Sequence, residues 1–179
     1  MLLDNYYTLL YNTLLVDNTK LMTNWDGIKV VCTSYNAEMI RFSVDASRYP
    51  SMHRQFPAVV ESPYYGGVIL GTGDTPVAST DYWLENYISA DIVTMTNESV
   101  NTFWDDSGKT IMGMYTLTNN TDSDVVIKEV GLVCWPDGRN IGDSTQYVWR
   151  ILVDRTVLQN PITVPANGTA RMVYAIQYL

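Results

Sequence analysis

From residue 111 to the end of the chain, apolar and polar side chains alternate in runs separated by Pro, Gly, Asn and Asp. A period of two puts every second side chain on one face of an extended backbone, so each run reads as a half-buried strand and each break as a turn. Residues 111–118 set Ile111, Gly113, Tyr115 and Leu117 on one face. The polar residues 119–124 form a hairpin turn, and 125–135 is the returning strand. Strands at 152–158, 161–165 and 169–179 complete the pattern. This grammar predicts a mainly β protein, an antiparallel β-sandwich of Ig-like or jelly-roll-like type, and contains no catalytic motif.

The first half is less regular. Residues 2–16 space Leu3, Tyr6 or Tyr7, Leu10 and Leu14 three to four apart, which predicts an N-terminal amphipathic helix. Residues 1–19 are therefore an extension, and 20–179 one sandwich domain. Asp26-Gly27 is a turn signal before a strand carrying Ile28 and Val30, and a second strand is expected over 39–44. Residues 45–67, with three prolines and few periodic apolar positions, read as a long loop excursion. Its aromatic residues either contact a partner or pin the loop to the domain. Asp81 is placed to cap a short helix near 81–89. Beyond it, strands at 91–95 and 101–104 flank a break at 97–99.

Composition removes several classes of function. The net charge is −8 and the eleven Lys and Arg are dispersed, whereas nucleic-acid binding draws on clustered cations. Neither nucleic acid nor an anionic membrane is an expected partner, and no apolar run reaches the roughly 20 residues of a spanning helix. Cys32 and Cys134 are far apart and His53 is the single histidine, so no metal site is expected. Two free thiols or one disulfide remain open. The paired glycines of Gly71-Thr72-Gly73 lack the lysine of a phosphate loop, so no cofactor is expected either. Acidic turns offer no carboxylate pair with a defined separation, and the chain reads as non-enzymatic.

Three stretches carry a resemblance. Gly71-Thr72-Gly73-Asp74-Thr75-Pro76 followed by Asp81 and Leu84 is similar to a GTG-x-TP…D-x-x-L pattern. Lys128-Glu129-Val130-Gly131-Leu132 is similar to an E-x-G-L strand. Leu152, Arg155-Thr156-Val157, Pro161-Ile162-Thr163-Val164 and Gly168-Thr169 resemble an L-x-x-R-T-V…P-I-T-V…G-x-T ending. In that order they resemble small β-rich structural proteins of tailed-bacteriophage virions, of tail, fibre-attachment or capsid-decoration type. The resemblance covers 1–16 and 68–179 and has no counterpart for 20–67.

It implies a structural part assembled in the host cytoplasm into a virion, a symmetric homo-oligomer docked on other virion proteins. Tail, collar or adaptor, and fibre attachment are the expected places. The alternatives are a capsid decoration protein or a sandwich that binds a carbohydrate or host receptor through Trp83, Trp104, Trp135 and Trp149, residues that the simpler reading places in the core. The family has no catalytic residues to carry over. Candidate contact residues are Tyr6, Tyr7 and Tyr11 on the helix and Tyr49, Phe56, Tyr64 and Tyr65 in or beside the excursion.

Overall fold

The computed structural model describes residues 3–5, 7–8, 21–31, 67–105, 108–134, 137–139, 146–148 and 151–178. They form ten strands: β1 Leu21–Thr23, β2 Lys29–Val31, β3 Gly67–Gly71, β4 Val93–Asp105, β5 Gly108–Asn119, β6 Val125–Cys134, β7 Asp137–Arg139, β8 Gln146–Val148, β9 Ile151–Val164 and β10 Thr169–Tyr178. The chain is mainly β and every pairing is antiparallel. The strands form three sheets, in the orders β1-β2-β7-β8, β10-β5-β4 and β3-β6-β9.

The expected face of β5 is observed. Gly113, Tyr115 and Leu117 are buried while the residues between them are half-exposed. Tyr115 keeps 2% of its surface, and burial pushes its phenol up to about 12. In β4 the same period buries Val93 and Met95 and exposes Thr94 and Thr96. These residues join Val68, Leu70, Ile127, Val130, Leu132, Val153, Val164 and Met172 in one hydrophobic cluster drawn from both three-stranded sheets.

Several expectations change, and the separate strands expected at 152–158 and 161–165 are one, β9. The 119–124 turn is not a hairpin: β5 pairs with β4 and β10, and β6 with β3 and β9, so the turn carries the chain from one sheet to another. Asn119, 1% exposed, makes the crossing possible. Its Nδ2 donates to the carbonyls of Ser123, Val164 and Pro165 at 2.8, 3.0 and 3.1 Å, and its Oδ1 accepts from Thr121 N and Oγ1. One amide thus ties this crossing to the β9–β10 turn, where Asn167 adopts a left-handed φ of 53° that asparagine tolerates.

The break at 97–99 is a register shift within the continuous strand β4, between Asn97 and Ser99. The helix near 81–89 is not formed. Its breaking is local: Asp81 does not cap a helix but accepts from Ala78 N, behind it in the chain, while Tyr87 makes a single bridge with Gly71.

β6 is the middle strand of its sheet and is buried from Glu129 to Val133 without alternation, because both of its faces are covered. One face meets the main cluster. On the other, Leu3, Leu84, Val133 and Leu152 form a second cluster, with Ile69, Val77 and Trp83 packed on it. Asp4, Asn5, Tyr7 and Thr8 have helical backbone. Leu3 N donates to Val153 O at 3.0 Å, and the Asn5 side chain bonds Thr23 and Leu152, so this segment is seated against β1 and β9. The strand expected at 39–44, the excursion at 45–66, and Cys32 with its pairing lie outside the described residues. No described helix is long and apolar enough to cross a membrane.

Candidate functional site

Two constellations stand out among the described residues, and both use the segment that joins β3 to β4. The first is polar and buried. β6 directs Glu129 (0% exposed) and β9 directs Arg155 (3% exposed) to the face covered by that segment. Arg155 Nε donates to Glu129 Oε2 at 2.9 Å, and its terminal nitrogen donates to Asp81 Oδ2 at 2.7 Å. Its other terminal nitrogen reaches Thr75 O and Oγ1 and lies 3.9 Å from Glu85.

Glu129 has a further task. Its Oε1 accepts from Gly73 N at 3.1 Å and Asn86 N at 3.0 Å, and its Oε2 accepts from Glu85 N at 3.3 Å. With Arg155 that makes four donors around one carboxylate. The glycines are needed for this approach: a Cβ on Gly71 would lie 2.4 Å from Glu129 Oε1, and one on Gly73 would lie 2.6 Å from it and 2.5 Å from Glu85 Cβ. A buried ion pair stands only when its remaining hydrogen-bonding capacity is met, and here it is met by backbone.

The electrostatics follow the geometry. Burial works against the Arg155 charge, but the hydrogen bonds and charges of Asp81 and Glu129 outweigh it and hold the guanidinium above its usual range. Glu85 is held below the usual carboxylate range by the N–H and hydroxyl of Thr75. Asp74 is held low by its ion pair with Lys128 at 2.8 Å. Through these bonds Glu129 ties residues 73, 85 and 86 to β6, and Arg155 ties residues 75 and 81 to β9. No described group of three His, Cys, Asp or Glu is arranged to hold a metal ion.

The second constellation is aromatic and open. In the β1–β2 turn, Asn24 Oδ1 accepts from Asp26 N and Ile28 N, and Gly27 takes the φ of 78° that closes the turn. This presents Trp25, whose ring meets Trp83 edge-on at 5.7 Å and 61°. Trp83 in turn meets Tyr87 at 5.8 Å and 51°. Tyr82 lies over Gly27, 3.5 Å from where a Cβ would sit. Trp25, Tyr87 and Tyr82 keep 40, 41 and 44% of their surface exposed.

Of the contact residues expected from sequence, Tyr7 is described. It is 58% exposed and lines a polar cleft of about 400 Å³ with Asp4, Thr23, Lys29 and Asp81. Tyr6, Tyr11, Tyr49, Phe56, Tyr64 and Tyr65 lie outside the described residues. So do the side chains of Trp104, Trp135 and Trp149; Trp83 is half-buried at the margin of the second cluster. Sequence reasoning missed Trp25, Tyr82 and Tyr87 as one surface. The available signal was a tryptophan at the tip of an Asn-Trp-Asp-Gly turn, where no core face is expected. Compared with protein-family models, curated proteins and solved structures, the chain matches none.

Proposed function

We propose that this chain is a non-enzymatic structural component of a tailed-phage virion, at a tail, collar or fibre-attachment position, working by oligomerisation and docking to other virion proteins. One observation carries the reading. Gly71, Gly73, Thr75, Asp81, Glu129 and Arg155, which belong to the stretches that resemble virion proteins, are brought together in one saturated cluster. Residues scattered along the sequence thus form one structural unit, and that unit organises a scaffold.

On this reading the sheets β3-β6-β9 and β10-β5-β4 are the two halves of an antiparallel sandwich. The helical residues Asp4, Asn5, Tyr7 and Thr8 belong to an N-terminal helix. The assembly contacts fall on that helix and on the 45–67 excursion, leaving sheet edges and loops as further docking points.

The test is mass spectrometry of purified source particles together with light scattering of the isolated protein. The expected result is a fixed copy number in the particle and a closed oligomer or a defined complex with another virion protein. A strictly monomeric protein absent from purified particles would overturn the proposal.

A further inference from the structure

We propose that the β9–β10 turn carries a self-modification site. Asn167 cyclises onto the main-chain nitrogen of Gly168 and loses its amide as ammonia, and Asp122 is the positioning residue that restrains the reaction. The chemistry needs water alone, so it is independent of assembly.

Residue order selects the site. A side-chain amide can be attacked by the main-chain nitrogen of the residue after it, and a side chain on that residue obstructs the approach. Glycine has none, and Asn167-Gly168 is the one Asn-Gly pair in the sequence. The fold then puts the pair in reach of water, since Asn167 is exposed at a turn. Asn119 is the contrast: it is followed by Asn120, is buried, and commits its amide to three carbonyls.

The steps balance without an oxidant or a reductant. Gly168 N gives up its proton to water, and its electron pair forms a bond to Asn167 Cγ. The Cγ–Nδ2 bond breaks, and the nitrogen takes a proton back and leaves as ammonia. Water opens the resulting five-membered succinimide at either carbonyl. One opening gives aspartate; the other gives isoaspartate, with the main chain running through Cβ and Cγ.

The turn holds the reacting groups in place. Gly168 N donates to Pro165 O at 2.9 Å, and Asn167 Nδ2 donates to Asp122 Oδ1 at 3.0 Å. Asn167 N and Gly168 O are bonded to Thr121 O and Asn119 N, each at 2.9 Å. Cyclisation therefore waits for the turn to open, and exposed turns open locally at low cost. Asp122 sets the freedom of the amide itself. The product matters to the fold, because a carboxylate at 167 would face that of Asp122 and like charges repel. Isoaspartate also adds one atom to the main chain between the bonds to Thr121 and Asn119, which loosens the tie to the β5–β6 crossing.

The test incubates the full native chain at physiological temperature and mildly alkaline pH. Mass spectrometry follows the peptide that contains Asn167, and isoaspartyl methyltransferase gives a second readout. The expected result is a gain of about 1 Da at Asn167 before any other asparagine, with aspartate and isoaspartate both formed. Asp122→Ala, at an exposed position, is expected to speed conversion about threefold to tenfold, the weight of one exposed hydrogen bond. Asp122→Asn keeps an acceptor and is expected to stay within about twofold of the parent chain. Gly168→Ala is expected to suppress the reaction. The proposal is overturned if another asparagine converts first in the native chain, or if Asp122→Ala reacts no faster than Asp122→Asn. Conversion of Gly168→Ala at the parent rate would equally overturn it.

Discussion

The buried charge cluster and the aromatic constellation share one segment of chain and invert the usual placement of residues. Arg155 and Glu129 are paired inside; Trp25, Tyr82 and Tyr87 are large, aromatic and part-exposed. In the first, every polar atom that matters has a partner in the protein, so its chemistry is spent on holding the fold. In the second, Trp25, Tyr87 and Tyr82 keep 40, 41 and 44% of their surface exposed. The lesson is that a charged motif conspicuous in sequence can be satisfied wholly inside the protein, while the aromatic side chains of a plain turn beside it stay at the surface.

The largest effect that would sharpen this contrast is on Arg155. Replacing it with Ala leaves Glu129 buried without its cation, and a loss of about 3–5 kcal/mol is expected in denaturant unfolding. A loss below about 1 kcal/mol would show that the cluster is solvated and would break the distinction. Gly73→Ala is the next test. Its Cβ would press on Glu85 Cβ at 2.5 Å, and the expected cost is about 1–3 kcal/mol, with the segment 72–88 losing amide-exchange protection first.

Acid should act on the same side of the comparison. Glu85 and Asp74 have folded-state values held below their ordinary 4.5 and 3.8, so the unfolded chain takes up protons first as pH falls. Their stabilisation is complete above those ordinary values and is lost as pH drops through the lower folded ones. A melting temperature that falls below about pH 4.5, and falls less in Glu85→Gln, is the expected readout. Trp25→Ala, by contrast, removes an edge contact with Trp83 at the surface, and a cost of about 0.5–1.5 kcal/mol is expected in denaturant unfolding. A larger loss there would make this surface part of the core.

How much of this was legible beforehand differs by region. The period-two faces of β4 and β5 were readable because burial on one side of a strand leaves its mark at every second residue. The middle strand β6 hid its environment, since Glu129 looks like a solvent-facing residue until β9 brings Arg155 diagonally beside it. The partner of a strand was also hidden. The six polar residues 119–124 suit a hairpin and a sheet-to-sheet crossing equally, and only the Asn119 bonds to Val164 and Pro165 select the crossing. At Asp81 the capping signal was real, but an ion pair with Arg155 outweighs one cap. The aromatic constellation was least legible, because Trp25 and Trp83 come from separate turns that only the tertiary structure makes neighbours.

Glu129 grips the segment above it through the N–H groups of Gly73, Glu85 and Asn86, that is, by main chain rather than by side chains. Main-chain donors are the same in nearly every amino acid. The grip on that segment is therefore independent of the side chain at Asn86, whose main-chain N–H makes the contact. Such a mounting separates fastening from surface: the exposed side chain of Asn86 can be exchanged while the hydrogen bond of its main chain to Glu129 stays unchanged.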